Sequence, residues 1–238
     1  MASTTPISFF LRGLRDSAPF ILVAGPFAML FGVLATEAGL NVFEVLTFSL
    51  AVFAGAAQFA ALQLMQEQAP TVIVLISALA INLRVAMYSA SLTPYLGAAP
   101  LWQRALAAYF TVDQSYALSI VKFESEPKMT TPQRMAYFFG TNGLIAPAWY
   151  GFTLVGAVAG TRIPEDWALD FIMPIAFIAM IAPMLRTPAH LVAAFVACAA
   201  SLMLATLPYN MGLIVAGLIG MMAGARAELF FDQKAFGE

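Results

Sequence analysis

Arg84 and Asn82 fall near the middle of SALAINLRVAMYSASLTPY, Ser77 to Tyr95, a run that is otherwise mostly apolar or small. A guanidinium keeps its proton, and placing one deep in hydrocarbon costs about 2.5–3.5 kcal/mol on insertion scales. It therefore needs a carboxylate, a hydrated cavity, or an interface that its long stem can reach. Asp113, in AAYFTVDQSYALSI, is the natural counter-ion. An apolar wall favours the neutral form of a carboxylic acid, and a neighbouring guanidinium favours the ionised form. A solute carboxylate that displaced Asp113 from Arg84 would leave Asp113 to take a proton, which is the minimum machinery for proton coupling. A permanent structural pair, or an interfacial Asp113, is the alternative.

Gln58 lies in VFAGAAQFAALQLM among small residues, Gly55 included, that allow close backbone approach. Neutral amides such as Gln58, Asn82 and Asn142, the last in GTNGLIAP, can orient amino or carboxylate groups, and they can equally tie helices together. Phe53, Phe59 and Met87 are available to line an apolar pocket beside them. Asp170, in WALDFIMP, reads as an interfacial helix cap, and the lone His190 has no assigned role. The spacings Ala35 to Gly39, Gly156 to Gly160 and Gly220 to Gly224 read as helix-packing steps.

The elements that must position these groups are membrane helices. Of 238 residues 61% are hydrophobic and 10% charged, with a mean hydropathy of +0.84, where soluble domains carry about 25% charged residues. The apolar blocks run to roughly 17–24 residues, the length that crosses a hydrocarbon core of about 30 Å. No strand-like alternation recurs, so the expectation is an all-α polytopic membrane protein, one transmembrane domain over 1–238. Spans are placed near 18–37, 43–66, 70–94, 101–121, 133–159, 168–186, 189–206 and 209–225. Asp113, Gln114 and Ser115 interrupt the fourth, and if it only dips into the membrane the count is seven. Residues 7–16 read as an interfacial helix through Phe9, Phe10 and Leu14.

Arg12, Arg15, Lys122, Lys128, Arg134, Arg186, Arg226 and Lys234 fall on one side of such an arrangement, which the positive-inside rule makes cytoplasmic, together with both termini. Glu37, Glu44, Glu165 and Asp166 fall opposite, with Arg104 and Arg162 as exceptions. Residues offset by 121 match at Pro26 and Pro147, Phe31 and Phe152, Ala38 and Ala159, Gly39 and Gly160, and Glu44 and Glu165. Two related halves, 18–121 and 133–225, are one reading of this pattern, and chance in a biased composition is the other. Parallel and inverted halves both occur among secondary transporters. The prolines of AGPFAML and IAPAWYG, Pro26 and Pro147, could break helices at the midplane or be tolerated kinks.

No phosphate-cradling GxxxxGK[ST] is present, no His/Cys/Glu cluster has metal-ligand spacing, and no nucleophile motif has a histidine to serve it. An enzyme is not expected, and no cofactor or metal is implied. No long basic run suggests nucleic acid. The single Cys198 cannot form an intramolecular disulfide. A passive channel and a non-transporting scaffold or assembly subunit stay open beside a transporter.

Four stretches, SLAVFAGAAQFAALQLM, LAINLRVAMYSASLTPYL, TVDQSYAL and LDFIMPIAFIAMIAPMLR, in this order from about Pro19 to Gly224, resemble the AzlC family, the large subunit of bacterial branched-chain amino acid exporters. The resemblance implies a cytoplasmic-membrane permease that works with a small hydrophobic AzlD-like subunit and exports branched-chain amino acids on the proton gradient. Carried onto this chain, the FAGAAQFA motif places Gly55 and Gln58, NLR places Asn82 and Arg84, and T-x-D places Asp113. The family often has an acidic residue after that aspartate and APHL where this chain has TPYL. Gln114 and Tyr95 stand there instead, so no relay through those positions is implied. In the expected site Arg84 receives the substrate carboxylate, Gln58 and Asn82 orient the amino group, Gly55 and Asn142 are further substrate-binding residues, and Asp113 couples the proton.

Overall fold

The computed structural model of the protein describes residues 5–161, 185, 187–206 and 211–235. Regular structure among them is entirely helical: α1 (Pro6–Ser17), α2 (Ile21–Glu37), α3 (Val42–Ala51), α4 (Gly55–Gln66), α5 (Thr71–Leu96), α6 (Leu101–Tyr109), α7 (Asp113–Ser125), α8 (Thr131–Gly160), α9 (Pro188–Met203) and α10 (Met211–Ala235). Residues 1–68 and 74–167 form one compact unit, and 69–73 with 168–238 form a second. The span expected at 168–186, with Asp170, Glu165, Asp166, Arg162 and Arg186, lies outside the described residues.

Among the described residues three helical stretches are long and apolar enough to cross a membrane: 6–37, 71–96 and 131–160. The first joins α1 to α2 through a 3-10 turn at Ala18–Phe20. It packs alongside α8 in the same direction, Phe10 against Gly140, Met29 against Gly156, and Val33 and Thr36 against Gly160. Glycine is required at this seam, because a Cβ on Gly156 or Gly32 would fall on the backbone of the opposite helix. We expect Gly156→Ala to lower stability by about 1–3 kcal/mol through overpacking, read as an earlier thermal transition of the detergent-solubilised protein. The segment expected in the interface lies along α8 instead: Phe9, Gly13 and Ser17 are buried, and Asp16 accepts a 2.9 Å hydrogen bond from the Tyr137 hydroxyl.

The prolines do not break these helices. Pro26 sits inside α2 and Pro147 inside α8, and both helices continue through them. A proline in a helix removes one hydrogen bond and adds one clash, and continuous packing between α2 and α8 holds each axis through that local defect.

The breaks occur elsewhere. Asn41 and Glu44 form a reciprocal capping box that starts α3, with hydrogen bonds of 3.0 and 2.8 Å. That helix runs back down α2, Phe48 meeting Phe31. It stops at Val52, and α4 then climbs α2 again, Gly55 beside Phe27 and Phe59 between Phe27 and Phe31. Segment 43–66, expected as a span, is therefore a re-entrant hairpin whose arms of 10 and 12 residues reach about 15 and 18 Å, roughly half a hydrocarbon core.

The fourth expected span behaves likewise, from the other end. Helix α5 descends, so that Leu92 and Leu96 join Phe9, Phe123 and Tyr137 in one buried cluster near the start of α8. The short α6 rises from there, and α7 returns parallel to α5, with Arg84 beside Asp113, Tyr88 and Ser91 beside Tyr116, and Tyr95 beside Phe123. Segment 101–121 is thus a second re-entrant hairpin, the dipping alternative of the sequence reading. Arg104, an exception as a residue between spans, sits on the first turn of α6 at the same end as Arg12, Lys122 and Arg134.

In the second unit α9 and α10 pack antiparallel, Gly220 against Ala193 and Ala197, and Gly224 against Ala193. Thr187 caps α9 by accepting from the His190 backbone N–H at 3.2 Å.

Candidate functional site

The two hairpin tips, Val52–Phe53–Ala54 and Phe110–Thr111–Val112, meet. Phe53 stacks on Tyr109 at 6.1 Å, lies edge-on to Phe110 at 5.9 Å and tilts against Tyr150 at 5.4 Å. Around Phe53 pack Ala24 and Ala28 of α2 and Ile145, Ala146 and Trp149 of α8, so Pro26 and Pro147 mark the level of the tips without forming them.

Ending a helix inside an apolar layer orphans its last carbonyls, which must find donors. Gln58, fully buried, supplies one such donor at the end of α3: its amide nitrogen donates to the Val52 carbonyl and reaches Ser49 Oγ at 3.3 Å. Trp149 Nε1 donates to the same Ser49 hydroxyl at 2.9 Å, and the Tyr109 hydroxyl donates to the Leu50 carbonyl at 2.6 Å. Gly55 lets the ring of Trp149 approach, since a Cβ there would stand 2.7 Å from it. The other tip is closed by Ser115 Oγ, which accepts from the Val112 N–H at 3.0 Å and lies 3.3 Å from the Phe110 carbonyl.

Asp113 is the first residue of α7, where the positive end of a helix favours a carboxylate. Its Oδ2 is 3.2 Å from Nη1 of Arg84, and the two side chains remain 40% and 29% accessible. The pair is therefore partly exposed and not sealed in a core. Tyr88, stacked on Tyr116 at 4.3 Å, reaches the same carboxylate, and the Tyr116 hydroxyl is 3.1 Å from Ser91 Oγ.

Arg84 and Asp113 are therefore brought together, one residue beyond the second tip. Gly55 and Gln58 open the helix that leaves the first tip. Asn142 is buried on α8 and donates to its own helix at Phe138. Gln58 Oε1, Asn82 Oδ1, Arg84 Nε, Asp113 Oδ1 and Asn142 Oδ1 are all buried without a hydrogen-bond partner among the described residues. Of the apolar residues expected to line a pocket, Phe53 is at the tips and Phe59 is packed into α2, whereas Met87 is 71% exposed and belongs to neither of the buried clusters described here. Ser49, Trp149 and Tyr109 were not singled out in the sequence, and Ser115 entered only as an interruption of the fourth span. Their only signal was negative: a helix interrupted in an apolar layer needs donors from somewhere.

The sequence model of the AzlC protein family matches residues 19–163, more than half of the chain and both hairpins with it. The chain belongs to the AzlC family. This AzlC-family chain is 29% identical over 190 residues to an uncharacterized membrane protein of Archaeoglobus fulgidus, covering 78% of this chain and 80% of that one. It is 25% identical over 231 residues to the inner membrane protein YgaZ of Escherichia coli, covering 92% and 89%. An uncharacterized membrane protein of Helicobacter pylori is 27% identical over 176 residues, 72% and 75% of the two chains. No solved structure matches significantly. Family and fold together give a polytopic membrane protein with a transport-related role.

Proposed function

We propose that the protein is a secondary transporter that exports branched-chain and similar hydrophobic amino acids across the cytoplasmic membrane, driven by the proton gradient. The observation that carries this reading is the Arg84–Asp113 pair, 3.2 Å apart and accessible, at the N-terminus of a half-helix that begins where two opposed hairpins meet. Arg84 offers a planar fork for a substrate carboxylate. Asp113, displaced from it, takes the proton. The unpaired oxygens of Gln58, Asn82 and Asn142 are acceptors suited to an ammonium group, and the aromatic tips supply apolar walls. The end bearing Arg12, Arg104, Lys122, Lys128 and Arg134 is assigned to the cytoplasm. A small hydrophobic AzlD-like subunit is proposed as a companion on the family resemblance, and it would contribute none of the groups invoked in the site, all of which lie on this chain.

A passive channel is the competing reading, and the tip-to-tip hairpins favour it, because irregular backbone at mid-membrane also lines conducting pores. Counterflow of labelled valine, leucine and methionine in proteoliposomes, with and without the small subunit and at two pH gradients, separates the two. A carrier gives saturable, gradient-dependent flux. Flux that neither saturates nor responds to the gradient is the channel's signature, and no flux from folded protein in either preparation counts against both.

A further inference from the structure

A cavity of about 350 Å³ lies between the lower half of α5 and α6, within the size range of small-molecule sites. It extends from Gly97 and Leu101, at the end of the unit that carries Arg12 and Lys122, up to Thr111 in the second hairpin tip. Thr111 is two residues from Asp113, and Ser89, on the α5 wall, is five residues from Arg84, about 7.5 Å along the helix. The cavity includes neither Arg84 nor Asp113, and it reaches the tip from which α7 and Asp113 start.

The lining has a division of labour. Arg104 is its one charged residue, and it makes none of the ion pairs found among the described residues. Thr93 and Thr111 have committed their hydroxyl protons to the backbone, Thr93 to the Ser89 carbonyl at 2.9 Å and Thr111 to the Ala107 carbonyl at 2.7 Å. What these two oxygens still offer is lone pairs. Leu92 and Leu96 provide apolar wall, and Ala105 and Ala108 leave room. A cation, two acceptor oxygens and an aliphatic wall match the carboxylate, ammonium and side chain of an aliphatic α-amino acid.

We infer that this cavity is a capture vestibule, a second amino acid site separate from Arg84, in which Arg104 draws the solute carboxylate from the side of the N-terminus before it passes to the tips. The identity of the solute rests on the proposed function; the site itself rests on the cavity and its lining.

The test places a single thiol in the vestibule, Ala108→Cys in a Cys198→Ser chain, because the native cysteine is exposed. The reconstituted protein is labelled from the N-terminal side with anionic sulfonatoethyl or cationic trimethylammonioethyl methanethiosulfonate. The anionic reagent should react several-fold faster, saturating leucine should slow labelling at least threefold, and Arg104→Gln should remove both effects. In counterflow, Arg104→Gln should raise the apparent KM and leave the maximal rate within twofold. Labelling indifferent to leucine, or protection that persists unchanged in Arg104→Gln, overturns the vestibule even where wild-type flux is normal. Protection without flux retains the vestibule and removes the exporter reading.

Discussion

Arg84→Lys should reduce amino acid flux at least tenfold, about 1.4 kcal/mol of lost transition-state stabilisation, with membrane abundance unchanged. The reasoning is geometric. Arg84 meets Asp113 through Nη1, and its planar fork is the group that would pair bidentately with a solute carboxylate in place of Asp113. An ammonium keeps the charge and loses the fork. Arg84→Ala should be more severe, because it also leaves the Asp113 carboxylate beside an apolar wall without its cation. Flux in proteoliposomes normalised to folded protein reads both variants. A wild-type rate in Arg84→Lys removes this residue from substrate recognition.

Asp113→Asn should separate exchange from work. The amide still fits beside Arg84 but cannot ionise, so the empty carrier loses its internal counter-ion and the proton its acceptor. Counterflow at equal pH should continue, with a lower KM because substrate no longer competes with a carboxylate for Arg84. Flux under a pH gradient should fall to the level measured without one. The double variant Arg84→Leu/Asp113→Leu gives the complementary result: abundant protein with intact activity would make the pair a structural tie, since an ion pair replaced by apolar residues often costs nothing. Loss of activity with abundance retained is the result expected of a working pair.

The ion pair of the candidate site was legible in the sequence because charge inside hydrocarbon is expensive and has few solutions. Arg84 and Asp113 could be paired on that ground alone, and they stand 3.2 Å apart. The helical class and three of the spans followed from apolar length. What composition hid was direction. A hairpin with arms of 10 and 12 residues has the same apolar content as one crossing helix, and Val52–Phe53–Ala54 carries no proline or polar residue to announce a turn. The turn is held by groups that come later in the chain, the Gln58 amide and the Tyr109 hydroxyl, which donate to the Val52 and Leu50 carbonyls. Conversely, Pro26 and Pro147 carry the strongest local signal for a break and make none, because the α2–α8 seam outweighs one missing hydrogen bond. The second tip was easier, since Asp113, Gln114 and Ser115 visibly interrupt an apolar run.

The opposed hairpins also have a bookkeeping consequence for sidedness. A re-entrant segment returns to the face it left, so counting it as a crossing reverses the assigned face of everything after it. Two such reversals cancel. Five crossings counted from apolar length and the three present here, 6–37, 71–96 and 131–160, put Thr161 on the same face, opposite Thr5. Only the stretch between the hairpins is exchanged: the turn at 67–70 joins Glu37 and Glu44 on one face, and the turn at 97–100 brings Arg104 to the basic one. The charge that looked misplaced in a linear reading is the local record of where the parity changed.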